Sequence, residues 1–117
     1  MFNLSTNPLS WTPDGLDEPI FHYSPALAGE GASALENSND DNGKFSGSRY
    51  SFGLVARCIK DIDDLSIDGV PVEWDLLDLP AKIALLRCIP ASWFQRLVNR
   101  VGEESEISQE EERDTSE

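Results

Sequence analysis

Leu65-Ser66-Ile67-Asp68-Gly69-Val70-Pro71-Val72 sets Asp-Gly between β-branched residues. That is a strong short hairpin signal, because a two-residue type I′ turn needs positive φ at both central positions. A small β-ribbon from Leu65 to Val72 follows. A helical pattern lies on either side of it, Tyr50 to Ile62 and Leu79 to Val101, so the ribbon joins a hairpin of helices.

In the first helix Phe52, Val55, Cys58, Ile59 and Ile62 recur at three- and four-residue spacing on one face. Ser48 is placed to cap it, and Lys60, Asp61, Asp63 and Asp64 mark its wet side and its end. Beyond the ribbon, Glu73 to Asp78 reads as a turn or short helix. Asp78 then stands as an N-cap, with Pro80 tolerated in the first turn. Leu79, Ile83, Leu86, then Trp93 or Phe94, Leu97, Val98 and Val101 continue one apolar stripe. Pro90 interrupts it, since an interior proline removes a hydrogen bond and clashes with the preceding turn. Two helices are therefore expected, Pro80 to Cys88 and Ala91 to Val101, meeting at a bend, with Gly102 as the stop.

Outside this hairpin the chain is less regular. Residues 1 to 19 carry Pro8, Pro13, Pro19 and the turn tetrad Thr12-Pro13-Asp14-Gly15, and read as an extended arm. Ile20 to Tyr23 is a strand bounded by Pro19 and Pro25, which predicts an edge position. Pro25 to Glu36 favours a short helix despite Gly29 and Gly31, and Asn37 to Gly47 reads as a polar, flexible loop. Glu103 to Glu117 has one apolar residue, Ile107, and is expected to be disordered when free. The expected class is mainly α with a minor α+β character. An extended arm (1 to 19) leads into one small helical domain (20 to 101) with its hairpin at 65 to 72, and an acidic tail (102 to 117) follows.

One domain is what 117 residues allow. The formal charge of −13 comes from 22 acidic and 9 basic residues, and more than half of the excess lies from Val101 onward, where eight acids face one arginine. Nucleic acid and anionic membrane are excluded as expected ligands, because phosphate affinity needs clustered Lys and Arg. No apolar run approaches the ~18 residues of a membrane span, and the first residues lack the pattern of a signal peptide. Cys58 and Cys88 stand at semi-apolar helical positions without paired spacing, which predicts two reduced core thiols.

Motifs for chemistry are sparse. A calcium loop starting at Asp61 would place Leu65 at its fifth position and Ser66 where glycine belongs, and the run Ser38 to Gly43 has Arg49 where glutamate belongs. His22 is the sole histidine, which excludes a His zinc cluster and reads as an aromatic-strand position. Gly29-Glu30-Gly31 lacks the third glycine of a phosphate loop. The expectation is a non-enzyme with no catalytic, cofactor or metal residue. Trp74, Trp93 and Phe94 are either core filling or interface anchors. Adjacent Trp93 and Phe94 cannot share one helical face.

The order of these features resembles the tail assembly chaperones of tailed bacteriophages. It runs through Ile20-Phe21-His22-Tyr23-Ser24-Pro25, Leu27-Ala28-Gly29-Glu30, Phe52 to Ile59, Ile67 to Val72 and the Asp75-Leu76-Leu77-Asp78-Leu79-Pro80 entry to the last helices. The resemblance spans about residues 19 to 101, and the loop Asn37 to Gly47 and the acidic tail depart from it. It implies a small non-enzymatic chaperone in the host cytoplasm, without cofactors, that binds tape-measure, tail-tube or baseplate-hub protein before assembly. A homo-oligomer is compatible with that role. The expected partner-binding set, core and client surface together, is Val55, Ile59, Ile62, Ile83, Leu86, Trp93, Phe94 and Leu97. The alternatives are a structural component of the virion tail or baseplate and an acidic DNA-mimic inhibitor.

Overall fold

The computed structural model describes residues 8–102. Strand β1 (Leu9–Trp11) is followed by β2 (Ile20–Tyr23), helix α1 (Ala28–Glu36), helix α2 (Gly47–Cys58) and β3 (Ile59–Asp63). Then come a ribbon of β4 (Ser66–Ile67) and β5 (Val70–Pro71), a 3-10 turn (Trp74–Leu76), α3 (Leu79–Leu86) and α4, residues 91–102. Four helices and a few short antiparallel strands make a mainly α fold with a minor β part. Residues 1 to 7 of the expected arm and the acidic tail from 103 lie outside the described residues.

The sheet has the order β1-β2-β3, all antiparallel, and it corrects three sequence expectations. First, the arm carries an edge strand: Leu9 to Trp11 pair with Tyr23 to Phe21, and the Trp11 ring lies 5.7 Å from Phe21. The tetrad Thr12 to Gly15 turns the chain back, with the Leu16 N–H donating to the Pro13 carbonyl at 3.1 Å and Gly15 at φ 80°. Second, β2 is central rather than an edge. Pro19 precedes its first residue and Pro25 follows its last, so neither missing N–H falls in the ladder.

Third, α2 ends at Cys58, and Ile59 and Ile62 belong to β3 instead of a helical face. A bulge causes the resemblance to a helix. Phe21 pairs with Ile62, His22 with Asp61 and Tyr23 with Ile59, so His22 and Tyr23 on β2 face the three residues 59–61 on β3. The extra residue, near Lys60, puts both isoleucines on the buried side with Phe21 and Tyr23. The start of α2 also shifts, since Ser46 rather than Ser48 is its cap and accepts from the Arg49 N–H at 3.3 Å.

Several local predictions hold. Asp68 and Gly69 have φ of 52° and 80°, as the ribbon turn requires. Asp78 accepts from the Ala81 N–H at 3.0 Å, and Pro90 separates α3 from α4. The loop expected to be flexible is instead tied to itself: Asn39 bridges Phe45, and the Asp40 carboxylate accepts from the N–H groups of Asn42 and Lys44.

The helices pack their apolar sides on the sheet and on each other. Phe21, Tyr23, Val55, Cys58, Ile59, Ile62, Trp74, Leu86, Leu97 and Val101 are sealed from water. Trp74 anchors the 3-10 turn to the start of β3, its indole N–H donating to the Ile59 carbonyl at 3.1 Å. Arg100 donates from Nε to the buried Tyr23 hydroxyl at 2.9 Å, so α4 is tied to β2 by a polar contact as well as by Leu97 and Val101. Glu30 links α1 to the far end of α2: its carboxylate accepts from the Leu27 N–H at 2.6 Å and lies 3.8 Å from the Cys58 thiol. The two cysteines are free, but only Cys58 is buried; the expected second core thiol, Cys88, is exposed in the turn after α3 ends, where it donates to the Ala84 carbonyl at 3.4 Å.

Candidate functional site

The eight residues expected to form core and client surface do not share one face. Val55, Ile59, Ile62, Leu86 and Leu97 are buried in one core, Ile59 and Ile62 as part of β3 and the other three on the helices that pack with it. Ile83, Trp93 and Phe94 are half-buried. The adjacent aromatics point in two directions, as the helix period demands. Trp93 meets Phe21 edge-on at 6.4 Å, and Phe94 stacks on Phe52 at 4.1 Å with 17° between the rings. Both therefore have aromatic partners within the molecule rather than standing free as anchors. Trp74 is core filling outright.

One open concave surface among the described residues is a groove of about 370 Å³ between α1, α2 and α3. Its apolar floor is Ala34, Gly53, Leu79, Pro80 and Ile83, and of the eight expected residues Ile83 alone lines it. Asn37 closes one side, and Arg49, Arg57 and Arg87 form the charged rim. The helix period explains this arrangement. Arg49, Gly53 and Arg57 recur every four residues on α2, and Leu79, Ile83 and Arg87 do the same across from them on α3 and its end.

Each arginine is held differently. The Arg57 guanidinium folds back over Gly53 and donates to its carbonyl at 3.0 Å; a Cβ at Gly53 would lie 3.0 Å from that guanidinium. Arg87 lies 4.7 Å over the Phe52 ring, which is also stacked on Phe94, so a cation and two rings form a pile beside the groove. Arg49 reaches the fully exposed Asp41 at 3.6 Å, a pair that water screens. Among the described residues, no carboxylate forms an ion pair with Arg57 or Arg87. The charge total concealed this rim, although the eight-residue spacing of Arg49 and Arg57, about two helical turns, announces it.

Elsewhere, Leu35 on α1 and Phe45 in the closed loop are more than half exposed, and Phe45 tilts against Tyr50 at 6.1 Å.

His22 does more than occupy an aromatic strand. Its Nδ1 lies 3.1 Å from the Ser10 hydroxyl and its Nε2 2.7 Å from the Asp63 carboxylate, a row running across all three strands. The order is that of a hydrolase relay. The row lies in water, however, with His22 and Asp63 side chains 30% and 47% exposed, whereas acyl transfer depends on oxyanion donors in a water-excluded site. It acts as a polar tie across the sheet. Among the described residues, no group of three His, Cys, Asp or Glu side chains is arranged to hold a metal ion, and no helix is long and apolar enough to cross a membrane. Comparison with protein-family models, with curated proteins and with solved structures finds no match for this chain.

Proposed function

We propose that this protein is a non-enzymatic assembly chaperone of a tailed bacteriophage, which holds a tape-measure, tail-tube or baseplate-hub protein in the host cytoplasm until the tail is built. The order of sequence features, from the β2 segment through the ribbon to the Asp78-capped helix, supports the family. The observation that carries the mechanism is the groove: an apolar floor between three helices, rimmed by guanidinium groups, left uncovered by any other described element. A client helix laid there would bury apolar side chains on Leu79, Pro80 and Ile83, which is the usual way a groove takes an amphipathic helix. The client surface is thus Ile83 and the groove, while Val55, Ile59, Ile62, Leu86 and Leu97 act as the core behind it. An arginine-rimmed face also runs against a DNA mimic, whose docking surface must be acidic.

Co-expression with each tail protein of the same phage, followed by affinity purification, tests the reading. One tail protein is expected to co-purify with the wild type, and purified virions are expected to lack the chain by mass spectrometry. Recovery of no tail protein would reject the chaperone role, and a stoichiometric presence in virions would make the protein a structural component.

A further inference from the structure

Arg57 and Arg87 sit in a chain with 22 acidic residues, yet among the described residues no carboxylate forms an ion pair with either. Cations without a carboxylate partner in so acidic a molecule have an obvious source of one. Residues 103–117 hold eight acids and a single arginine, with Ile107 as their one apolar residue. We propose that this acidic segment is the resting occupant of the groove, its carboxylates set against Arg57 and Arg87 and withdrawn when a client takes the floor.

Reach and charge carry the idea. The segment begins where α4 leaves the described residues at Gly102, and 15 residues span up to about 50 Å when extended. At ~1.5 Å of rise per residue Gly102 stands about 12 Å along α4 from Phe94, whose ring stacks on the Phe52 ring that Arg87 covers, so the groove's rim is within range. A segment tethered this closely acts at an effective concentration near the millimolar range, so contacts that are individually weak suffice. With one apolar residue, the segment cannot fill the floor of Leu79, Pro80 and Ile83. Its hold is therefore electrostatic and fades with salt. A ligand that brings apolar side chains as well as carboxylates displaces it. The resting occupancy follows from charge and reach and is tested without a client, while its withdrawal rests on the proposed client-binding role.

The test uses the full chain. Amide and arginine side-chain resonances are compared between the wild type and a full-length variant in which the eight acids of 103–117 are replaced by Gln and Asn, at low and at high ionic strength. Differences at Arg57, Ile83 and Arg87 are expected at low ionic strength and should vanish at high ionic strength. A second variant, Arg57→Gln with Arg87→Gln, should move the resonances of the unaltered segment 103–117 at low ionic strength to the positions they take in the wild type at high ionic strength, with far-UV circular dichroism unchanged. Identical groove resonances at low salt would overturn the proposal, as would differences centred on Lys60, Arg96 or Arg100. So would groove differences that grow with protein concentration, which would assign the occupant to a second copy.

Discussion

Replacing Phe94 by alanine separates a packing role from an interface role. In the structure Phe94 is half-buried, stacked on Phe52 at 4.1 Å, while Arg87 covers Phe52 at 4.7 Å. An aromatic side chain buries about 150–250 Å² when enclosed. If roughly 100 Å² of that is lost from Phe94, the transfer cost at ~25 cal/mol per Å² is about 2.5 kcal/mol. The stacked pair adds about 0.5–1.5 kcal/mol beyond area, which a double-mutant cycle with Phe52→Ala isolates as coupling. Phe94→Ala is thus expected to cost about 3 kcal/mol, measured by urea unfolding followed by far-UV circular dichroism. Phe94→Leu should recover more than half of it. A loss below ~0.5 kcal/mol with no coupling to Phe52 would refute the packing role and return Phe94 to the list of interface anchors.

Burial, with the Glu30 carboxylate beside it, raises the Cys58 thiol from 9.0 to about 12. The unfolded thiol ionises first, so this stability is whole below about pH 9 and declines as pH rises toward 12, by up to ~1.4 kcal/mol per pH unit; chemical unfolding against pH should be steeper in the wild type than in Cys58→Ala, and equal slopes would contradict it. Gly53→Ala removes a mid-helix glycine and meets Ala34 at an ordinary 3.9 Å, but it pushes the Arg57 guanidinium away. Stability should therefore hold or rise by up to about 1 kcal/mol, while the arginine resonance of Arg57 moves, and an unmoved resonance would contradict the contact. Trp74→Phe keeps only the six-membered ring, leaves the space of the pyrrole half empty and removes the buried donor to the Ile59 carbonyl, and should cost at least about 1–3 kcal/mol in urea unfolding.

What the sequence disclosed was local. Asp68-Gly69, the Asp78 cap and the break at Pro90 each depend on a few adjacent residues, and each stands where the residues place it. What it hid was non-local. Nothing near Leu9 to Trp11 signals pairing with Tyr23 to Phe21, and the three-residue step from Ile59 to Ile62 reads as helical until the bulge opposite His22 and Tyr23 is known. Missing the sheet had a consequence for the site. Without that layer the stripes of α2 and α4 look over-large, and Val55 and Leu97 pass for surface when they are sealed. The groove lies on the other side of α2, where Arg49, Gly53 and Arg57 make a weak apolar signal but a clear charge period.

The central claim is that a tail protein docks in the groove over Ile83. The affinity of the co-purified tail protein for the wild type and for Ile83→Asp, measured by calorimetry, tests it most directly. Ile83 is half-buried and borders the groove, so the variant should keep its circular dichroism while binding at least about tenfold more weakly, since 1.4 kcal/mol of lost apolar contact is tenfold. Undiminished binding by a folded Ile83→Asp chain would contradict the account.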